Sequence, residues 1–333
     1  MSLSPIAASL GDPNGLGADL ICALWGNSPP KRPVICVGPE TAVIHRARQL
    51  GVDRFWHSLS SPPQVGLSPG VHWLTPASLQ QFSPRPGYAH PSGGAAAAEA
   101  LTAAAQLVRE KQAAALVTCP LNKAMLQAAG YDFPGHTEFL ARYFGLDAEN
   151  VCMHLAGPQL RVSLVTTHPP LRMVPELITP QRVCRCLRQT WDFVLALDGT
   201  PAPVAVCGIN PHAGESGALG DEEQTRVIPG IQAAVAYGVQ AVGPLPADTV
   251  FSRARHGEFS AVLAMYHDQG LGPLKTLHFG QAVNVTLGLP VVRTSVDHGT
   301  GYDKVGTGLA SARSLELAVG MADRLVRVAH TPK

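Results

Sequence analysis

The chain has 333 residues, 46% hydrophobic and only 15% charged, a composition that excludes a disordered segment and is long enough for two domains. Its formal net charge is +1 and it has no Lys/Arg cluster interleaved with aromatics, which excludes nucleic acid or an acidic membrane surface as a partner drawn in by charge. No apolar run reaches the roughly 18 residues of a bilayer span, the start MSLSPIAASL lacks the regions of a secretory leader, and seven cysteines without a CxxC pair predict reduced thiols in a cytoplasmic protein.

In chain order, short apolar runs at 6–10, 34–37, 71–74, 114–118, 162–165, 204–207, 261–265 and 282–286 predict strands. The Ala-rich segment 94–110 predicts a helix. Segment 182–197 predicts another, with Val183, Leu187, Val194 and Leu197 on one face and Thr179-Pro180 as its N-cap and first-turn pair. Segments 58–70 and 83–94, rich in Pro, Gly and Ser, read as surface loops. Continuous apolar strands alternating with helices predict an α/β protein with a largely parallel sheet. There is no internal repeat, and composition marks no domain border.

Ligands of open α/β sheets bind beyond the carboxyl ends of the strands, and here several runs end in reactive residues. Run 162–165 leads to Thr166-Thr167-His168, run 204–207 to Asn210-Pro211-His212-Ala213-Gly214-Glu215, run 261–265 to Tyr266-His267-Asp268-Gln269-Gly270, and run 114–118 to Pro120-Leu121-Asn122-Lys123. Three imidazoles at equivalent positions suit a borderline metal such as zinc with one coordination position left open. One histidine at a strand end is more often structural, and spacings of 44 and 55 residues form no local metal motif. Near the start, Gly11-Asp12-Pro13-Asn14-Gly15-Leu16-Gly17 follows a strand, as a phosphate cradle or as a plain tight turn; its glycine order is not the Rossmann one. Gly135-His136-Thr137-Glu138 opens a helix pattern, as an anion site or as a Thr N-cap with an acidic first turn. Lys275, Asn284 and Arg293 lie on or near late strands in a lightly charged region, which makes them better phosphate ligands than surface cations usually are. Segment 293–308 is long, polar and glycine-punctuated, a loop of the functional kind.

GDPNGLG, LNK, GHTE, TTH, GINPHAGE, GPLPADT, MYHDQGLGPLK, NVTLGLP and RTSVDHGT occur in the order that characterises the 4-hydroxythreonine-4-phosphate dehydrogenase family of pyridoxal 5′-phosphate biosynthesis, and the chain resembles that family over nearly its whole length. The resemblance implies two α/β/α domains with a cleft between them, similar to isocitrate and isopropylmalate dehydrogenases, placed at 1–125 plus 271–333 and at 126–270. It implies oxidation of the C3 hydroxyl of 4-phosphohydroxy-L-threonine with NAD or NADP, followed by decarboxylation to 3-amino-2-oxopropyl phosphate. It further implies one divalent metal (Zn, Mg or Co) on His168, His212 and His267, and a homodimer whose subunits share active sites. Substrate contacts carry over to His136, Thr137, Lys275, Asn284 and Arg293. Lys275 or Asp248 would assist proton transfer, and Asp297, His298, Gly299 and Thr300 would contact the cofactor.

The chain departs from the family pattern at Asn14, at Ala18-Asp19 and at Cys119. Two rival readings stand beside this one. A family relative would oxidise a phosphorylated sugar acid, such as threonate or erythronate 4-phosphate, or a dihydrodiol carboxylate. A metal-dependent phosphohydrolase would use the same histidines on water, but the second-metal carboxylate cluster such enzymes often carry is missing.

Overall fold

The computed structural model describes residues 3–63, 66–133 and 135–329. The strands are β1 (Ile6–Ser9), β2 (Pro33–Val37), β3 (Trp56–Leu59), β4 (Gly70–Leu74), β5 (Ala115–Thr118), β6 (Cys152–Ala156), β7 (Arg161–Leu164), β8 (Val204–Cys207), β9 (Ala241–Leu245), β10 (Ala261–Ala264), β11 (Val283–Leu287) and β12 (Val292–Ser295). The helices are α1 (Gly17–Trp25), α2 (Glu40–Leu50), α3 (Pro91–Arg109), α4 (Lys123–Ala128), α5 (His136–Tyr143), α6 (Val174–Leu177), α7 (Pro180–Asp198), α8 (Ile228–Ala236), α9 (Ala247–Arg255), α10 (His267–His278) and α11 (Arg313–Ala329). None of the described helices is long and apolar enough to cross a membrane. All seven cysteines are unpaired.

The chain divides into two compact units. One holds the residues up to Leu146 and from Leu289 onward, and the other is Asp147–Gly288. Segments 126–146 and 271–288, expected in the second and first domain, thus pack with the first and second unit respectively.

In the first unit the strands run β3-β4-β2-β1-β5-β12, every pair parallel. All residues of β1, β2, β4 and β5 are buried, which is why these runs read as continuous apolar segments. Helix α3 begins earlier than the Ala-rich run, at Pro91, because the His90 ring accepts from Ser92 N and Pro91 needs no N–H partner in the first turn. Its alanines let it lie close over the sheet, with Leu101, Ala104, Leu107 and Val108 in the same apolar cluster as Ala7, Ile35, Val37 and Leu116.

In the second unit the order is β11-β6-β7-β10-β8-β9. Strands β7, β10, β8 and β9 are parallel, and β6 is antiparallel to both its neighbours. Helix α7 is capped as expected: Thr179 Oγ1 accepts from Arg182 N and Pro180 occupies the first turn. Val183, Leu187, Val194 and Leu197 are all buried.

Four strands escaped the sequence pattern. β3 is largely exposed after its first residue, β6 carries His154, β9 contains Gly243-Pro244 at the sheet edge, and β12 is the polar run Val-Arg-Thr-Ser.

His154 is fully buried, and its Nδ1 pairs with Ser163 Oγ, which in turn accepts from Thr190 Oγ1. Burial, reinforced by the Arg161 charge, lowers its pKa to about 3. An unfolded imidazole takes up a proton near pH 6.5 that the folded one refuses. This stabilising contribution is therefore complete above pH 6.5 and is lost at about 1.4 kcal/mol per pH unit as the pH falls toward the folded pKa. Between pH 7.5 and pH 5, urea unfolding should show a loss about 2 kcal/mol larger in the wild type than in His154→Gln. Equal losses would mean that the folded histidine is charged.

Candidate functional site

In the first unit, the start of α5 meets the end of β5 and the middle of β12. Arg293, on β12, is 2% exposed, and its Nη2 donates to Thr118 Oγ1 at 2.6 Å. Register makes this meeting: β12 pairs in parallel with β5, Arg293 aligned with Leu116 and Ser295 with Thr118. Burial lowers the Arg293 pKa to about 10, partly offset by the nearby Glu138 carboxylate. Even so lowered, the guanidinium remains charged at neutral pH.

His136 is the first residue of α5, and the helix N-cap is Gly135, without a side-chain bond, so Thr137 lies inside the helix and is not its cap. The His136 Nε2 is shut off from solvent and has no hydrogen-bond partner. Burial holds the ring's pKa well below its ordinary range, and the Arg293 and Lys123 charges push it the same way, against a bond to the Cys119 backbone. Lys123 and Glu138 both approach Gly135, where a Cβ would lie 3.3 Å from Lys123 Cε and 3.2 Å from Glu138 Oε2. The result is a neutral imidazole beside two cations at a helix N-terminus, with one carboxylate against them. Such a set is built to accept an anion. The sequence marks Lys123 only as one of the polar residues that follow a strand, and gives neither it nor Thr118 a specific role.

In the same unit, the GDPNGLG turn packs closely against the backbone and side chain of Thr300. A Cβ on Gly15 would fall 2.3 Å from Thr300 Cγ2, and Leu16 N donates to Thr300 O. Asp12 is buried and accepts from Asn14 N and from Tyr302 Oη, at 2.9 and 2.5 Å; burial raises its pKa against those bonds. The departures from the family pattern have structural partners. Asn14 accepts from Arg85 N through Oδ1 and from Gly87 N through its carbonyl. Asp19 pairs with buried Arg46 at 2.9 Å and accepts from Gly306 N. Cys119 is buried, and burial raises its thiol pKa to about 12, so it is inert at neutral pH.

The cofactor candidates follow β12. Asp297 N donates to Ser314 Oγ, His298 and Gly299 are exposed, and Thr300 is buried against the glycine turn. A cavity of about 450 Å³, lined by Arg85, Pro86, Tyr88, Ala89 and His90, lies on the loop that Asn14 tethers. A Cβ on Gly87 of that loop would lie 3.3 Å from Tyr302 O, so the loop packs against the segment that follows Thr300.

In the second unit, β7, β10 and β8 are consecutive neighbours in the sheet, and all three run in one direction. Their carboxyl ends lead to His168, His267 and His212, which places these three residues at one edge. The rings of His168 and His267 lie 5.5 Å apart between centroids. His267 opens α10, and its Nδ1 faces Asp268 Oδ1 at 2.7 Å, leaving Nε2 as its outward donor. His212 is exposed, in a turn whose residues 212–216 all have left-handed backbone. The donor chemistry suits a divalent metal, and the sheet order brings the donors to neighbouring strands. Among the described residues, however, no three His, Cys, Asp or Glu side chains gather into a metal-binding group.

The remaining candidates are dispersed in the second unit. Lys275 lies in the last turn of α10 rather than at a strand end, eight residues from His267 or about 12 Å of helix rise. Asn284 lies on β11 opposite Leu155, with a buried Oδ1 that has no hydrogen-bond partner. Asp248 is exposed in the first turn of α9.

A family model described as pyridoxal phosphate biosynthetic protein PdxA matches residues 32–322. The 4-hydroxythreonine-4-phosphate dehydrogenase of Geobacter metallireducens is 42% identical over 331 residues, covering 97% of this chain and 96% of the relative. A relative from Oceanobacillus iheyensis, provisionally named as a D-threonate 4-phosphate dehydrogenase, is 39% identical over 333 residues, 98% of this chain and 99% of its own. The crystal structure of the 4-hydroxythreonine-4-phosphate dehydrogenase of Klebsiella pneumoniae superposes with a TM-score of 0.83 at 35% identity, covering 97% of this chain and all of the other.

Proposed function

The chain belongs to the PdxA family of pyridoxal phosphate biosynthetic proteins, and from that premise we propose that it oxidises the C3 hydroxyl of 4-phosphohydroxy-L-threonine with NAD or NADP. The product is 2-amino-3-oxo-4-(phosphooxy)butanoate. As a β-keto acid it loses CO2 to give 3-amino-2-oxopropyl phosphate. The observation that carries this reading is the anion-accepting set at the start of α5, where buried Arg293 and exposed Lys123 flank neutral His136.

Arg293, His136 and Thr137 hold the substrate phosphate. The guanidinium is fixed by Thr118, so little side-chain freedom is lost on binding. Lys275 and Asn284 complete the substrate contacts, and Asn284 brings a buried acceptor that lacks a donor in the free protein. A divalent ion (Zn, Mg or Co), held by His168, His212 and His267, supplies Lewis-acid polarisation of the alcohol oxygen when bound. The working unit in this proposal is a homodimer whose subunits share that set. Lys275 or Asp248 takes the hydroxyl proton, and a nicotinamide, when bound, would supply the acceptor for the hydride. Asp297, His298, Gly299 and Thr300, with the cavity beside Arg85, position the cofactor.

The Oceanobacillus relative, almost as similar as the Geobacter one, favours a second reading in which the substrate is a sugar-acid phosphate. A panel of 4-phosphohydroxy-L-threonine, D-threonate 4-phosphate and D-erythronate 4-phosphate with both cofactors decides between them by the rate of reduced-nicotinamide formation. The aminated substrate should give the highest kcat/KM. Release of inorganic phosphate without cofactor reduction would reveal a hydrolase and end both readings.

A further inference from the structure

Residues 212–216 form a left-handed turn in which four of the five are not glycine, with φ of 50° at His212, 54° at Ala213, 43° at Glu215 and 58° at Ser216. Single residues adopt this conformation against the preference of L side chains, and successive ones do so only where tertiary contacts impose it. The contact here is Glu223, which is 2% exposed and opens a single π turn, Glu223–Val227, of the kind often found at functional positions. Its Oε1 accepts from Ile209 N and Asn210 N, both at 2.7 Å, and its Oε2 accepts from Asn210 Nδ2 at 2.9 Å. The turn closes around the carboxylate: a Cβ on Gly214, at φ 80°, would fall 2.5 Å from Glu223 Oε2. A second side chain ties the same loop to the histidine on the neighbouring strand. Gln269 Oε1 accepts from Met265 N and Gln269 Nε2 donates to Gly208 O, each at 2.7 Å.

We propose that Glu223 is a positioning residue for the reaction: its carboxylate holds 209–216 in the left-handed turn and so fixes the position of His212. The proposal rests on the reading of His212 as a metal ligand given above. Groups that orient ligands from behind typically change metal affinity about ten- to a hundred-fold. In Glu223→Gln the shape is kept, but the charge is lost and an amide donor faces Asn210 Nδ2.

The test uses the full chain, as wild type, Glu223→Gln, Glu223→Ala and His212→Ala. Hydrogen exchange of peptides spanning 208–219 is followed in metal-free protein, and affinity for zinc alone is measured by chelator competition. Glu223→Gln should speed exchange in 208–219 about tenfold or more while β8 and β10 keep their protection, and should weaken zinc binding about ten- to a hundred-fold. Glu223→Ala should do more of both, and the Gln variant carries the test if the Ala variant fails to fold. Unchanged exchange in 208–219 overturns the proposal. So does unchanged zinc affinity in Glu223→Gln when His212→Ala has lost it. Should His212→Ala itself bind zinc as the wild type does, the ligand reading fails instead, and the exchange data alone decide whether Glu223 holds the loop.

Discussion

His212→Ala is expected to lose most of its bound divalent metal and to lower kcat by about a hundred- to a thousand-fold. Polarisation of a reacting oxygen by a metal is worth several kcal/mol, and each 1.36 kcal/mol is a factor of ten in rate. The substitution falls on an exposed side chain in a turn, so it removes a donor without opening a cavity in the core. Metal content of the purified variant and steady-state kinetics are the measurements. A variant that retains full metal occupancy contradicts the assignment. The shared-site proposal is tested with the same variant: subunits of His212→Ala mixed with subunits of His136→Ala should regain activity on exchange. Proven heterodimers that stay inactive would show that these two residues do not serve one site from different subunits.

Arg293→Ala is expected to depress kcat/KM for the phosphorylated substrate by about ten- to a hundred-fold for each charge-assisted bond lost, since such bonds contribute about 1.5–3 kcal/mol. The unphosphorylated analogue should be affected far less. Because Arg293 is almost wholly buried and bonded to Thr118, the Ala variant also loses packing, and its melting curve must be read beside the kinetics. Arg293→Lys separates the effects, because it keeps a charge on a long side chain but loses the planar fork. Full activity in the Lys variant would mean that charge alone reads the phosphate. Equal losses on both substrates in the Ala variant would assign Arg293 to folding or to the chemical step.

What could be read along the chain was what is local. Runs such as 34–37 and 204–207 are buried on both faces and announce themselves by unbroken hydrophobicity, and Thr179-Pro180 announces the start of α7 by its capping chemistry. Strands whose side chains perform another task stayed hidden. β12 is polar because it delivers Arg293 and Thr294 to buried partners, and β6 carries His154 into a polar pocket inside the core. Lys275 was misplaced because the HDQGLGPLK run holds two glycines and a proline, residues that usually break a helix, yet here it forms α10.

The sequence by itself determined the α/β class, the strand-end placement of His168, His212 and His267, and the motif order that marks the family, because periodicity and short motifs are properties of neighbouring residues. Only the tertiary structure decided which strands pair. The order β7-β10-β8 puts next to one another three strands whose histidines are 44 and 55 residues apart, and pairing depends on contacts that no local pattern contains. It also decided that Arg293 is buried beside His136, through the register of β12 on β5. Local preference even points the wrong way at residues 212–216, where non-glycine side chains oppose a left-handed backbone. That turn closes on Glu223, which lies 14 and 13 residues beyond Ile209 and Asn210 and gathers their amides, a tertiary contact in which a buried carboxylate with three donors opposes what the local chain prefers.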